Sequence, residues 1–240
     1  MSETAIKRFA ETEFDHFASS YDQLLEDPLR IGFASDPLHF CRRKWLVLDR
    51  MLRSLGRQPG LMSWLDVGCG RGEFLELAGG HFANAAGCDP SGGMLSYGRS
   101  FVTHSQPHPT ELPFPSRSFD LVTAVCVYHH VPAEARPALT REIRRVLRPN
   151  GLFCIIEHNP YNPVTRMIVN RCPVDADAEL LSLGTAKQLM NSAGLQPALS
   201  EYFLYLPEAL FPKFCGMEAA VRQVPLGGQY VLVARSSALQ

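Results

Sequence analysis

From Leu61 onward, short apolar runs alternate with stretches whose apolar residues recur at helical spacing. That is the pattern of a mostly parallel sheet covered by helices on both faces, an α/β architecture. The apolar runs predict strands at residues 62–67, 85–88, 101–104, 119–127 and 152–157, with two more at 199–206 and 229–234. Helices are expected between them at 73–78, 91–98, 133–147 and 185–193. Arg148-Pro149-Asn150-Gly151 and Ala193-Gly194-Leu195 read as the turns that end two of these helices.

Residues 1–58 precede the sheet and read as helical. Phe9, Phe14, Phe17 and Tyr21 recur three to five positions apart, a stripe for packing on the core or for a flap over the sheet's carboxyl edge. Two segments, 158–183 and 207–228, are too long for simple connections. In an α/β chain such excursions are where a substrate pocket is built. One domain of 240 residues is therefore expected: a flap at 1–58, a ligand-binding core at 59–158, and pocket insertions with the last strands at 159–240.

Composition narrows the function classes. The net charge of −1 gives no global basic field for nucleic acid or an anionic membrane. No apolar run approaches the ~18 residues of a membrane span, and the polar start does not read as a signal peptide, so a cytoplasmic protein is expected. The seven cysteines are scattered singly, without a C-x-x-C pair, which argues against a disulfide framework and against a structural zinc or other metal. The apolar residues of 207–228 would cover an apolar ligand or form a homodimer contact.

Candidate chemistry begins where the first strand ends. Trp64-Leu65-Asp66-Val67-Gly68-Cys69-Gly70-Arg71-Gly72-Glu73 runs from a buried strand through glycines into a helix, which lets a ligand approach the main chain. A nicotinamide dinucleotide site wants G-x-G-x-x-G, and Glu73 stands where the third glycine belongs. Asp66 would repel a pyrophosphate but suits a ligand carrying an ammonium and a sulfonium. Ala86-Gly87-Cys88-Asp89-Pro90-Ser91 adds an acid at the end of the next strand, able to accept from both hydroxyls of a ribose or to cap a turn.

These motifs, with Leu112-Pro113-Phe114, Ser118-Phe119-Asp120-Leu121-Val122, Arg145-Val146-Leu147-Arg148-Pro149-Asn150-Gly151 and the N-terminal Phe14-Asp15-His16-Phe17-Ala18-Ser19-Ser20-Tyr21-Asp22, resemble the class I S-adenosylmethionine-dependent methyltransferases. The resemblance is to the type 11 branch, which includes ubiquinone/menaquinone enzymes and sugar and natural-product O-methyltransferases. It covers about residues 14 to 158 and implies a Rossmann-like sheet of seven strands with an N-terminal helical cap. It also implies S-adenosyl-L-methionine as cofactor and a small-molecule acceptor. Gly68, Cys69 and Gly70 would pass the methionine half, Asp66 would help hold its ammonium, and the Cys126 carbonyl would lie against the amino group. Asp89 and Pro90 would face the ribose and Met94 the adenine; Tyr21 would reach the methionine carboxylate or simply join the aromatic stripe.

One departure concerns the adenine end. The family carries an acid about four positions before Leu-Pro-Phe, followed by a free N–H. Here those positions are His108 and Pro109, and proline has no N–H. Adenine recognition would then fall to Gln106, Thr110, Glu111 or a shifted loop. The alternative is a repurposed, non-catalytic member with weakened cofactor binding.

Transfer to a hydroxyl needs a base, and Tyr128-His129-His130-Val131 follows the strand that ends beside the cofactor. Either His129 or His130 would serve, or they are structural loop residues. Glu157, at the end of the following strand, would orient the imidazole as in a His–acid dyad.

Overall fold

The computed structural model describes residues 12–98 and 101–237. Phe9 and the first part of the expected flap lie outside the described residues, as do Arg99 and Ser100. Four helices open the described chain: α1 (Glu13–Phe17), α2 (Tyr21–Leu24), α3 (Pro28–Phe33) and the longer α4 (His39–Ser54). There follow β1 (Ser63–Val67), α5 (Glu73–Ala78), β2 (Asn84–Asp89), α6 (Gly92–Leu95), β3 (Val102–Ser105) and β4 (Phe119–Val125). The second half holds α7 (Arg136–Val146), β5 (Leu147–His158), α8 (Pro163–Val169), α9 (Leu183–Ser192), β6 (Leu195–Phe203), α10 (Phe211–Val221) and β7 (Gln229–Ser236).

The seven strands form one sheet in the order β3-β2-β1-β4-β5-β7-β6. The first five are parallel; β7 runs antiparallel to β5, and β6 antiparallel to β7. Side-chain alternation divides each strand between two cores. Leu65, Val67, Val122, Phe153, Ile155 and Leu232 pack with Leu139, Ile143 and Val146 of α7 and Met190 of α9. Trp64, Leu121, Cys154, Ile156 and Val233 face the other way, onto Leu48, Met51 and Leu52 of α4 and Phe74 and Leu75 of α5. Both faces are covered, which is why the strands read as nearly continuous apolar runs.

Among the boundaries that differ from the sequence expectation, three have a clear physical reason. The expected turn at Arg148–Gly151 lies inside β5: Leu147 already pairs with Phe119, and the register shifts before Leu121 meets Leu152. Asn150, with φ of 60°, absorbs that bulge. β6 starts at Leu195 rather than 199, because Gly194 (φ 74°) caps α9 and the chain pairs with β7 at once. Pro197 is tolerated there because β6 is a sheet edge. β4 stops at Val125, two residues short of the expected end, where Cys126 turns left-handed.

Candidate active site at the carboxyl edge of the sheet

The loop after β1 is built on glycines with positive φ: Gly68 at 70°, Gly70 at 56° and Gly72 at 85°, the last immediately before α5. Gly68 and Cys69 donate their N–H groups to the Cys88 carbonyl at 2.7 and 3.1 Å, tying the loop to β2. A Cβ on Gly68 would stand 2.5 Å from Val127 Cγ2, whereas one on Gly70 would meet nothing within 4 Å. Gly68→Ala is accordingly expected to cost roughly 2 kcal/mol or more of stability, from left-handed strain plus overpacking. Gly70→Ala incurs only the strain, about 1–2 kcal/mol. Urea midpoints of the two variants check the order, and a larger loss for Gly70→Ala would be the wrong result.

Two buried carboxylates flank this loop. Asp89 is fixed by the Gly70 N–H on Oδ2 and the Ser91 N–H on Oδ1, both at 2.8 Å. Burial pushes its pKa up to about 6 despite those bonds. Asp66 points toward β4: Thr123 Oγ1 donates to its Oδ1 at 2.5 Å, and Trp64 Nε1 donates to Thr123 at 2.8 Å. Burial pushes Asp66 up to about 7, with the Thr123 bond and the Lys44 charge pulling against it. Met94 is buried on α6 beside this edge.

At the adenine end of the expected site, Gln106 is not free. Its Nε2 donates to the His108 carbonyl at 3.0 Å, and Cys88 Sγ lies 3.8 Å from its Oε1. His108 is exposed, with Nδ1 at 2.9 Å from Thr110 Oγ1, and His108 pairs with Glu111 in a tight turn around Pro109.

The other half of the edge carries the histidines. His129 is almost fully buried, with Nδ1 at 2.5 Å from Glu157 Oε2 and Nε2 at 3.5 Å from Asp175 Oδ1. Glu157 has no exposed surface, and its other oxygen accepts the N–H groups of Val127 and Tyr128 at 2.9 and 2.7 Å. Burial opposes charge on His129, but the two carboxylates outweigh it and push the imidazole up to about 10. Glu157 and Asp175 are both lowered despite burial, Glu157 by His129 and Asp175 by the two histidines. His158 is pushed down to about 3 by burial and by the cation on His129. His130 keeps about a fifth of its side chain exposed, and its Nε2 lies 3.3 Å from the same Asp175 oxygen. The ligating atoms of His129, His130 and Asp175 fall within 4.8 Å of one another, a spacing that direct imidazole–carboxylate bonds account for.

The N-terminal helices bridge the two halves. Asp15 accepts from Ser91 Oγ and the Gly93 N–H, each at 2.7 Å. Arg71 of the glycine loop donates to Asp22 at 2.9 Å and to the Ala18 carbonyl, and its guanidinium lies 5.3 Å from the centre of the Tyr21 ring. Phe14 packs edge-on against His130, ring centres 4.9 Å apart. Tyr21 is pushed upward by burial and by the nearby Glu73, Cys126 and Asp175. Asp15→Ala should loosen this strap, so that limited proteolysis near residues 12–24 accelerates while the sheet's melting temperature moves little. Unchanged cleavage would show that the apolar contacts hold the strap alone.

The fold brings Asp66, the glycine loop and Asp89 to one part of the sheet edge and His129, His130 and Glu157 to another; the sequence reading carried Asp175 only as the end of a segment expected to line the pocket, and gave Asp15 no role. Asp15 carried a signal, since it sits inside the N-terminal motif. Asp175 had none beyond its place in a long excursion.

A methyltransferase-domain family model matches residues 65–155, from the middle of β1 to the middle of β5, and so takes in the glycine loop, Asp89 and both histidines. The fold and the matched segment are similar to those of the S-adenosylmethionine-dependent methyltransferases. Among curated members of this methyltransferase family, a sterol 24-C-methyltransferase of Gibberella zeae is 31% identical over 181 residues, covering 65% of this chain and 46% of its own. A 27-O-demethylrifamycin SV methyltransferase of Amycolatopsis mediterranei is 27% identical over 210 residues, covering 78% of this chain and 74% of its own. The chain spans about half the length of the first of these. A solved methyltransferase of Archaeoglobus fulgidus superposes with a TM-score of 0.60 at 19% identity, over 83% of this chain and all of the other. One from Thermotoga maritima gives 0.63 at 15% identity, over 93% and 98%. They share the seven-stranded, mostly parallel Rossmann-like fold. No helix of the described residues is long and apolar enough to cross a membrane.

Proposed function

We propose that this methyltransferase moves the methyl group of S-adenosyl-L-methionine to a hydroxyl oxygen of a small, largely apolar acceptor, with His130 as the general base. When bound, the sulfonium supplies an already activated methyl carbon, so the chain's own task is to orient two ligands and take one proton.

The residues fit that cofactor. The carboxylate of Asp89, pinned at the sheet edge by two backbone N–H groups, retains lone pairs for ribose hydroxyls. Asp66 and the carbonyl of Cys126, held left-handed at φ 57°, offer acceptors for an ammonium, whose charge would draw the buried Asp66 toward its ionised form. Gly70, without a Cβ and with open space beside it, lets the methionine half lie on the loop, with Gly68 and Cys69 beneath. Met94 lines the adenine side with Pro90. With Gln106 engaged internally, Thr110 and Glu111 are left as the polar groups for the ring. Asp89→Ala should weaken S-adenosylhomocysteine binding by about 10- to 100-fold, the worth of hydrogen bonds to a charged acceptor. An unchanged titration would remove Asp89 from the ribose.

The observation that carries the base assignment is the chain Glu157–His129–Asp175–His130. His129 has both ring nitrogens facing carboxylates and no exposed path to an acceptor. His130 meets Asp175 through Nε2 alone, leaving Nδ1 to accept a hydroxyl proton while Asp175 balances the imidazolium. Glu157 therefore acts on the base at one remove, through His129 and Asp175.

Tyr161, Val164 and Met167 on and before α8, with Leu226 nearby, are large apolar residues left exposed on the two excursions, which supports an apolar acceptor. The Amycolatopsis relative, a 27-O-demethylrifamycin SV methyltransferase by name, supports oxygen as the methylated atom. The test is to incubate the protein with methyl-labelled cofactor and a panel of phenols, polyketides, quinols and sugars, then to read the product methyl by NMR. An O-methyl resonance that disappears with His130→Ala is expected. Products methylated only on nitrogen or carbon would overturn the hydroxyl reading.

A further inference from the structure

The pole of the sheet opposite the glycine loop, at the amino ends of the parallel strands, carries a cleft of its own. The turn before β4, the end of α7, the start of β5 and the end of β7 form it, with a volume of about 320 Å³. Four arginines line it, Arg117, Arg141, Arg144 and Arg145, together with Ser116, Ser236 and Ser237 and, among the described residues, no carboxylate. The whole chain has a net charge of −1, so this is a local concentration of cations and not part of a general basic surface. Arg141, Arg144 and Arg145 share one face of α7 by their spacing of three and four. Arg117 is tied to them through its backbone N–H, which donates to the Arg145 carbonyl at 2.9 Å.

The fold accounts for two of the four. Arg145 forms a bidentate pair with Glu142, both bonds at 2.8 Å, and donates to the carbonyls of Phe114 and Leu112 and to Ser116 Oγ. Arg144 donates Nη1 to the carbonyls of Ala193 and Gly194 at 3.0 and 3.2 Å, where α9 ends, and keeps its other nitrogens free of acceptors among the described residues. Arg117 and Arg141 are exposed, and among the described residues neither guanidinium has an ion pair or a hydrogen bond. Like charges gathered around one concavity repel, and nothing on Arg117 or Arg141 offsets that repulsion.

Glu142 neutralises Arg145, which leaves the guanidinium groups of Arg117, Arg141 and Arg144 unbalanced around one cleft. A carboxylate brings a single charge and two oxygens, too few for three guanidinium forks. A phosphate or diphosphate brings several charges and enough oxygens to be shared among them. The cleft is of a size with small-molecule sites, which start near about 300 Å³. We propose that it binds a phosphate-bearing ligand, a diphosphate or a phosphate monoester, held by Arg117, Arg141 and Arg144 with the Ser116 hydroxyl as a further donor. The seven residues of β4 put roughly 20 Å between this cleft and the carboxyl edge. Its ligand is therefore neither the methyl donor nor the acceptor, and the site stands independently of the cofactor reading.

Calorimetric titration of the full chain with sodium pyrophosphate, at an ionic strength held constant with sodium chloride, tests the site. Saturable one-to-one binding is expected, and Arg117→Gln combined with Arg141→Gln should weaken it by at least about tenfold. Because both side chains are exposed and unpaired, the double variant should melt at the same temperature as the unaltered protein or higher. Arg42→Gln combined with Arg53→Gln removes two exposed arginines elsewhere and should leave pyrophosphate binding as it was. Sedimentation with phosphatidylcholine vesicles carrying phosphatidic acid then separates the sources of the phosphate. Cosedimentation that the Arg117/Arg141 double variant loses assigns it to a lipid headgroup; any other result assigns it to a soluble molecule. No saturable binding of pyrophosphate, equal binding in the Arg117/Arg141 double variant, or an equal loss in the Arg42/Arg53 control overturns the proposal.

Discussion

His130→Ala should lower kcat on a hydroxyl acceptor by about 10²- to 10⁴-fold, the usual worth of a positioned general base. Affinity for S-adenosylhomocysteine should stay within about twofold, because the contacts of His130 run to Asp175, His129 and Phe14, whereas the cofactor reading rests on the glycine loop and Asp89. Asp175→Asn should fall between the two proteins. It keeps a hydrogen-bond acceptor for His130 Nε2 but removes the charge that balances an imidazolium, so kcat drops while the KM for acceptor holds. Steady-state kinetics with the three proteins decide the matter. Unchanged turnover for His130→Ala would end the base assignment.

The second large effect is structural. Glu157→Ala leaves the His129 cation facing a cavity and orphans the N–H groups of Val127 and Tyr128 beside it. Breaking a buried pair from one side costs about 3–5 kcal/mol, enough to bring a domain of ordinary stability near its limit. Glu157→Gln should lose less, since the amide oxygen can still accept from the two backbone groups. Urea unfolding ranks the variants, and a loss below about 1 kcal/mol for Glu157→Ala would show that the pair adds nothing.

The same pair sets a pH dependence. His129 is raised from 6.5 to about 10 in the folded protein. Folding therefore holds a proton that the unfolded chain releases, so the contribution is complete below about pH 6.5 and fades as pH rises toward 10. Stability should decline across that window, and the decline should flatten in Glu157→Gln, where the imidazole loses its nearest anion. A decline of equal size in both proteins would assign it to other groups.

Why some of this was legible in the sequence follows from what each signal encodes. The sheet was readable because strands buried on both faces, such as Leu121–Ala124 and Leu152–Ile156, leave apolar runs that are unbroken or interrupted only by a buried hydroxyl such as Thr123. The glycine loop was readable because positive φ at Gly68, Gly70 and Gly72 restricts residue choice. Asp89 and Glu157 could be placed at the carboxyl edge because strand ends fix position within a residue or two. His129 and His130 could not be separated, because adjacent residues in a 3₁₀ turn diverge by a rotation that only packing determines; one faces Glu157 and the other Phe14. Asp175 comes from a distant excursion, and nothing in its neighbours encodes that it returns to the histidines. β6 was misjudged by four residues because Pro197 looks like a strand breaker unless the strand is known to be an edge.

The claim at the centre is that the carboxyl edge around Asp66, the glycine loop and Asp89 holds S-adenosylmethionine rather than a dinucleotide. Isothermal titration of the full chain with S-adenosylhomocysteine and, separately, with NAD measures it directly. Saturable one-to-one binding of the first, weakened in Asp89→Ala, and no heat with NAD is the predicted result. Saturable binding of NAD, or no binding of S-adenosylhomocysteine, would contradict it.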